Sequence, residues 1–146
     1  MLKFVGDLRS LLLGLWLGAA CFFSFAVAPS AFGVLPSRDL AGSLVSRTLM
    51  IINLSGIVIG AILLLTSFLP SRNAKPFAVW GERILLAVLT IAGIVGQFVI
   101  GLWMAQIKMG IGKPLEELAA DDPAKLQFDQ LHIWSVNVLI TGMIAA

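Results

Sequence analysis

Charged residues are scarce in this chain: Asp, Glu, Lys and Arg make up 12% of its 146 residues, against roughly 25% in soluble domains. A soluble fold of this size would not have enough charge to cover its surface. Four long apolar stretches lack these residues altogether: 11–28, 48–69, 84–107 and 131–146. Because a helix of about 20 apolar residues crosses the hydrocarbon of a bilayer, the sequence predicts an integral membrane protein whose main partner is the lipid bilayer.

Residues that would support other functions are equally few. The net charge of +2 is small and dispersed, which excludes a nucleic-acid partner. The single cysteine, Cys21, excludes an internal disulfide. With only one histidine, His132, the chain has no ligand cluster of recognised metal-site spacing. No nucleophile elbow, phosphate loop or carboxylate pair lies within the apolar stretches, so we predict no catalytic residue and no metal site.

The expected fold is an all-α bundle of four transmembrane helices in a single domain, residues 1–146. We predict spans at about residues 8–28, 48–69, 83–107 and 130–146. Pro29 and Pro70 are expected to end the first and second helices, because a proline pushes the preceding residue out of helical geometry. Pro76 is expected to begin the third helix, and Pro123, after an Asp122 cap, the fourth.

Two further features concern the membrane boundary. Residues 38–46 mix charged and apolar side chains after a possible cap at Ser37, which predicts a short interfacial helical segment before the second span. Trp80 and Trp103 are 23 residues apart, about 34 Å along a helix, and tryptophan favours both membrane interfaces. We expect the first helix to remain uncleaved, because Pro29 would hinder a signal peptidase at Ala28.

Small residues recur four positions apart, which places them on one face of a helix where another backbone can approach. One such pair occurs in each predicted span: Gly14 and Gly18, Gly56 and Gly60, Ala92 and Gly96, and Gly142 and Ala146. The pattern favours a compact bundle. Homodimerisation through one of these faces is the alternative that the sequence leaves open.

Polar side chains within the spans are few, and an unpaired amide in hydrocarbon is costly. We therefore expect each to find a partner across a helix interface, or to line a path for a substrate or an ion. Gln97 is the most deeply placed of them, near the middle of the third span. The others are Asn53, Ser55, Ser135, Asn137 and Thr141.

The start of the fourth helix carries the densest polar pattern. Asp129, His132 and Ser135 follow one another at spacings of three, so they are neighbours on a helix. A second stripe runs through Gln130, Trp134, Asn137 and Thr141. Because polar groups occur on two sides of this helix, we predict that two neighbouring helices pack against it. Asp129 and His132 are candidates either for a proton-responsive pair that protonates a substrate or gates a pathway, or for a structural anchor.

A family resemblance covers nearly the whole chain. The residues that carry it are Leu15–Gly18 with Phe22 and Phe23, Ala28 and Pro29 with Phe32, and Phe128–His132 with Ser135 and Asn137. On these motifs the chain resembles the bacterial membrane proteins grouped as domain of unknown function 4149, which are similar to transmembrane protein 205-like proteins. The resemblance implies a four-helix membrane domain in a bacterial inner membrane and carries no catalytic residue with it. Lys3 and Arg9 favour cytoplasmic N- and C-termini.

Three functions remain open from the sequence. The first is a binding or transport-related membrane protein without enzymatic turnover, with its ligand unspecified and its candidate site at Asn53, Gln97, Asp129, His132, Ser135 and Asn137. The second is a haem- or metal-associated redox protein, although no cofactor is predicted; haem would need His132 with Met104 or Met143, or as a single ligand. The third is a structural subunit that binds itself or a membrane partner through Gly14/Gly18 or Gly56/Gly60.

Overall fold

A computed structural model of the chain describes residues 2–68, 76–112, 117–119 and 121–146. In this part of the chain the secondary structure is helical, without strands, as the sequence predicts. Its four long helices are named here by their order. The first helix comprises Leu2–Phe22, a π-helical turn Phe23–Val27, and Ala28–Val34. The second helix is Arg38–Thr66, and the fourth is Pro123–Ala145. The third helix comprises Pro76–Ile94, a π-helical turn Val95–Gly101, and Leu102–Ile111.

Three of these helices are long and apolar enough to cross a membrane. They are Gly6–Val34, Arg38–Thr66 and Pro76–Ile111, with mean hydropathies of 2.2, 2.4 and 2.4. The prediction of an integral membrane protein is confirmed at this level. The fourth helix has 23 residues but falls outside this set, because Gln130, His132 and Asn137 lower its mean hydropathy.

The first helix continues through Pro29 to Val34, so the prediction that it ends before Pro29 is wrong. A π-helical turn accounts for the difference. The N–H of Ala28 donates to the carbonyl of Phe23, five residues earlier. The wider turn lets the helix pass a residue that lacks an N–H and whose ring would clash with the carbonyl four residues earlier in a regular α-helix.

The other helix ends follow local chemistry. The Oγ of Ser37 accepts from the N–H of Leu40 at 3.2 Å, and the segment 38–46 is continuous with the second helix rather than a separate element. Asp122 caps the fourth helix through a 2.8 Å bond from the N–H of Ala124. Gly112 ends the third helix with φ 65°, a left-handed conformation that glycine adopts without strain. Pro70, predicted to stop the second helix, lies outside the described residues.

The third helix packs on the second through Pro76–Ile94 and Val95–Gly101, and on the fourth through all three of its segments, while the first helix packs mainly on the second. The core lies between the four helices and includes Trp16, Ala20 and Phe23 of the first helix, Val45 and Ile52 of the second, Leu89 of the third and Ala145 of the fourth. The fourth helix runs antiparallel to the third, since it contacts Leu102–Ile111 while its Gly142, near its other end, lies beside Ala92.

Ion pairs mark the two ends of the bundle. Arg9 pairs with Glu82 at 2.7 Å, which joins the first and third helices. Lys108 pairs with Asp39 at 2.6 Å, which joins the third and second. Lys108 follows Glu82 by 26 residues, about 39 Å along the helix axis. A bilayer with its headgroup regions is roughly 40–45 Å thick, so the two pairs are spaced to lie at its opposite surfaces.

Candidate functional site in the centre of the bundle

Trp16 connects the first helix to the second in the middle of the bundle. Its ring is buried, and its Nε1 donates to the backbone carbonyl of Ile52 at 3.0 Å. Gly56 makes room for the indole, because a Cβ at this position would lie 2.8 Å from Nε1. A tryptophan N–H in an apolar interior needs an acceptor, and the carbonyl one turn before Gly56 supplies it.

Asn53 follows Ile52 and is also buried, with 6% of its surface exposed. Two glycines of the third helix accommodate it. A Cβ on Gly96 would lie 3.1 Å from the Nδ2 of Asn53, and a Cβ on Gly93 would lie 3.1 Å from its backbone carbonyl. Among the described residues, no group forms a hydrogen bond with the Asn53 side-chain amide. The fully enclosed side-chain atoms without a partner are the Nε atoms of Arg9 and Arg83 in this part of the chain, so the amide of Asn53 is not completely enclosed.

A small cavity lies beside this amide. It measures about 10 Å³, close to the smallest volume that holds one water molecule. All four helices contribute to its wall, which consists of Trp16, Asn53, Leu89, Ala92, Gly93, Val138, Leu139 and Gly142. This lining contains no ionisable side chain. The cavity therefore offers an amide donor and acceptor in otherwise apolar surroundings.

The π-helical turn Val95–Gly101 borders Asn53 through Gly96. Such turns interrupt the regular hydrogen-bond ladder and occur frequently at functional sites. Gln97 lies in this turn and is half-buried, and its side chain forms no hydrogen bond with the described residues. The structure thus places Asn53 against Gly96, the residue before Gln97, while Gln97 itself does not line the cavity.

The other predicted site residues lie elsewhere. Asp129, His132 and Asn137 are exposed on the fourth helix, and Ser135 is buried. Asp129 and His132 form neither an ion pair nor a hydrogen bond with each other. The Oγ of Ser135 donates to the His132 carbonyl at 2.8 Å. The structure therefore does not bring Asp129 and His132 to the central amide, and their proposed proton chemistry stays a prediction.

The prediction that each polar side chain finds a partner across a helix interface is wrong for three of them. Ser55, Ser135 and Thr141 each donate to a carbonyl three or four residues earlier in their own helix, at 2.8–2.9 Å. Short hydroxyl side chains find these carbonyls within reach, so they need no partner from a neighbouring helix.

The predicted helix-packing residues fall into two groups. Gly56, Gly60, Ala92 and Gly96 are buried inside the bundle. Gly60 faces Thr90, whose Oγ1 would be 2.5 Å from an added Cβ. Gly14 and Gly18 are exposed, and an added Cβ on either would meet nothing within 4 Å. The Gly56/Gly60 face is thus covered within the chain, while the Gly14/Gly18 face is open.

Two contributors to the site were not predicted. Trp16 was noted only as part of a family motif, and Gly93 was not singled out. The signal for Trp16 was available, since a tryptophan within a long apolar run needs an acceptor for its N–H. Gly93 lies three residues before Gly96, so the two share one face of the third helix.

A haem- or metal-associated function was one of the three that the sequence left open. In residues 2–68, 76–112, 117–119 and 121–146, no three His, Cys, Asp or Glu side chains are grouped closely enough to hold a metal ion. The Sγ of Cys21 lies 3.9 Å from the Sδ of Met143, and His132 is exposed on another part of the fourth helix. Haem ligation by His132 stays an untested prediction.

Residues 11–113 match a family model described as Domain of unknown function (DUF4149). The match includes Trp16, Asn53, Gly96 and Gln97, together with the first two resemblance motifs, and it ends before the motif at residues 128–137. No curated protein and no solved structure matches the chain. Since the matched region covers more than half of the sequence and includes the whole central turn, the chain belongs to the DUF4149 family.

Proposed function

We propose that this chain is a four-span protein of the bacterial inner membrane that binds a water-sized, uncharged polar molecule beside Asn53. Its role is related to transport and involves no enzymatic turnover. The observation that supports this most directly is that Asn53, a buried residue on the wall of the cavity, forms no side-chain hydrogen bond with the described residues.

An unpaired amide is energetically unfavourable in these surroundings. Transfer of such a group out of water without a compensating hydrogen bond costs roughly 2–7 kcal/mol. A polar molecule in the cavity would remove much of this cost, because the amide can donate and accept at once. The site therefore favours a ligand that offers both a donor and an acceptor.

The lining of the cavity favours an uncharged ligand. Its walls are aliphatic side chains, glycines and one indole. A charged solute would lose its hydration there without gaining an opposite charge, which is far costlier than the transfer of a neutral polar group. The volume of about 10 Å³ restricts the occupant to the size of water.

The fourth span is part of the same proposal. Pro123–Ala145 is 23 residues long, about 34 Å as a helix, which is enough to cross the hydrocarbon. It packs on all three segments of the third helix, and its Gly142 contributes to the cavity wall. An even number of spans places both termini on one side, which Lys3 and Arg9 favour as the cytoplasmic side.

Reconstitution into liposomes tests the proposed function. Osmotic shrinkage in a stopped-flow instrument would report permeability to water, and swelling in isosmotic urea or formamide would report permeability to small solutes. We expect the protein to raise permeability to water, the probe that the cavity can hold, and to leave permeability to the two larger solutes unchanged. Asn53→Leu should return the water permeability to the level of empty liposomes, because Leu offers neither donor nor acceptor.

The matched control is Gln106→Leu, which also replaces an amide by leucine but on an exposed face of the third helix. It should leave the permeability unchanged, since Gln106 does not line the cavity. Water permeability equal to that of empty liposomes, or an equal loss in both variants, would contradict a polar site at Asn53.

A further inference from the structure

The fourth helix carries two parallel seams, each with the alternating spacing of four and three residues that marks helix–helix contacts. The inner seam faces the third helix, and its residues are buried or half-buried: Leu131, Ser135, Val138, Gly142 and Ala145. The outer seam precedes each of these by one residue, and all its members are exposed: Gln130, Trp134, Asn137, Thr141 and Ile144. A shift of one residue turns the helix by about 100°. Within the chain the fourth helix contacts the third helix and, through Gly142 and Met143, the first helix, and the outer seam remains exposed beside both.

The outer seam places an amide at the middle depth of the bundle. Gly142 lies beside Ala92, and the two helices run antiparallel. Asn137, five residues before Gly142, therefore lies about level with Gln97, within about 3 Å of the midpoint between the Glu82 and Lys108 ion pairs. At this depth lipid offers no hydrogen-bond partner.

Thr141 does not satisfy the Asn137 side chain. Its hydroxyl donates to the backbone carbonyl of Asn137 at 2.8 Å, which leaves the amide group itself without a partner among the described residues. The amide is exposed, so the missing partner must come from outside this bundle.

We propose that the outer seam packs against the same seam of a second copy of this chain, in a parallel twofold dimer with hydrogen bonds between the two Asn137 amides. The proposal rests on the fourth helix spanning the membrane, as proposed above. It does not depend on any solute binding at Asn53.

Membrane geometry favours a second copy as the occupant. Two copies inserted in the same orientation are related by an axis along the membrane normal, so identical residues meet at identical depth. An amide is complementary to itself, because it contains one acceptor and two donors. A twofold axis between the two outer seams therefore places one Asn137 amide against the other, and no other pair of residues has to be complementary for these two amides to form hydrogen bonds. Amide side chains of this kind hydrogen-bond across membrane helices.

Cysteine crosslinking in native membranes tests the seam directly, in a Cys21→Ser background. Gln130→Cys lies on the outer seam, and Asp129→Cys lies at nearly the same depth, turned about 100° away; both positions are exposed. We expect oxidation to convert Gln130→Cys into a dimer of twice the chain mass and to leave Asp129→Cys monomeric. Equal crosslinking at both positions, no dimer at Gln130→Cys, or a product of another mass would overturn the proposal.

Association in detergent tests the role of the amide. Asn137→Leu should weaken dimerisation by about tenfold, as expected for one lost interhelical hydrogen bond, while Asn137→Gln should retain most of it. If Asn137→Leu associates as tightly as the wild type, the Asn137 amide does not contribute to the interface. If the dimer is absent while labelling shows that the fourth helix spans the membrane, the dimer alone is wrong; if the fourth helix does not span, both proposals are wrong.

Discussion

The indole of Trp16 donates to the backbone carbonyl of Ile52 at 3.0 Å, and the same carbonyl accepts from the hydroxyl of Ser55 at 2.9 Å. This contact ties the first helix to the second one residue before Asn53. It lies on the wall of the central cavity, because the Trp16 ring also approaches Gly142 of the fourth helix. One side chain therefore connects three helices around the candidate site.

Trp16→Phe should lower the free energy of unfolding by about 1 kcal/mol, the usual net value of one hydrogen bond, and more if the smaller ring leaves a void. Thermal unfolding in a mild detergent would measure it. Trp103→Phe is the control, because Trp103 is exposed and forms no hydrogen bond in the described chain. An equal effect of both substitutions would show that the bond to Ile52 contributes nothing.

Gly56→Ala should destabilise the bundle by about 1–3 kcal/mol, the usual range for overpacking. The new Cβ would lie 2.8–2.9 Å from three atoms of the rigid Trp16 ring, so the first and second helices must separate. Gly42→Ala in the same helix serves as the control, since its Cβ would meet nothing within 4 Å. Denaturation curves of the two variants that coincide with the wild type would contradict the close approach.

Asn53→Leu should leave thermal stability nearly unchanged, because no protein group is left without a partner and the molecule bound beside the amide returns to solvent; removing both partners of a polar contact together is nearly neutral. This outcome distinguishes a residue that binds a ligand from one that stabilises the bundle through a hydrogen bond within the protein. A loss of about 1–3 kcal/mol, the cost of orphaning a bonded polar group, would mean that Asn53 stabilises the bundle through a hydrogen bond and would weaken the proposed function.

Arg9→Gln should cost more stability than Glu82→Gln. The Arg9 guanidinium bonds to the Leu63 carbonyl at 2.9 Å as well as to Glu82 at 2.7 Å, so its removal loses a charge-assisted hydrogen bond worth about 1.5–3 kcal/mol. Glu82→Gln loses only a partly exposed ion pair, worth about 0–1 kcal/mol. The free energy of unfolding of both variants, measured at low and at high salt, checks this prediction. A larger loss for Glu82→Gln than for Arg9→Gln would show that Glu82 makes the main stabilising contact.

The helical class and the membrane character were predictable because they depend on composition and run length. So were the caps at Ser37 and Asp122, which depend only on local residue types. The passage of the first helix through Pro29 was not predictable from the proline itself. It depends on a π-helical turn formed by residues 23–27, four of them apolar, whose side chains carry no signal for that geometry.

The candidate site was predicted in part. Polarity alone singled out both Asn53 and Asn137, yet the first is buried and the second is exposed. The difference arises from tertiary packing: Gly93 and Gly96 receive Asn53, whereas the fourth helix turns Asn137 away from the third. Periodicity identified the two polar sides of the fourth helix but could not state which of them the chain itself covers.

The central claim is that four helices cross the membrane around the Asn53 cavity, and the fourth is the one to test. In a Cys21→Ser background, Asp121→Cys and a variant with a cysteine added after Ala146 on a flexible Gly-Ser extension would each be treated with a membrane-impermeant maleimide in right-side-out and in inverted vesicles. We predict labelling from opposite faces, with the added cysteine reached from the cytoplasmic side. Labelling of both positions from the same face would show that Pro123–Ala145 does not span the bilayer and would contradict the account.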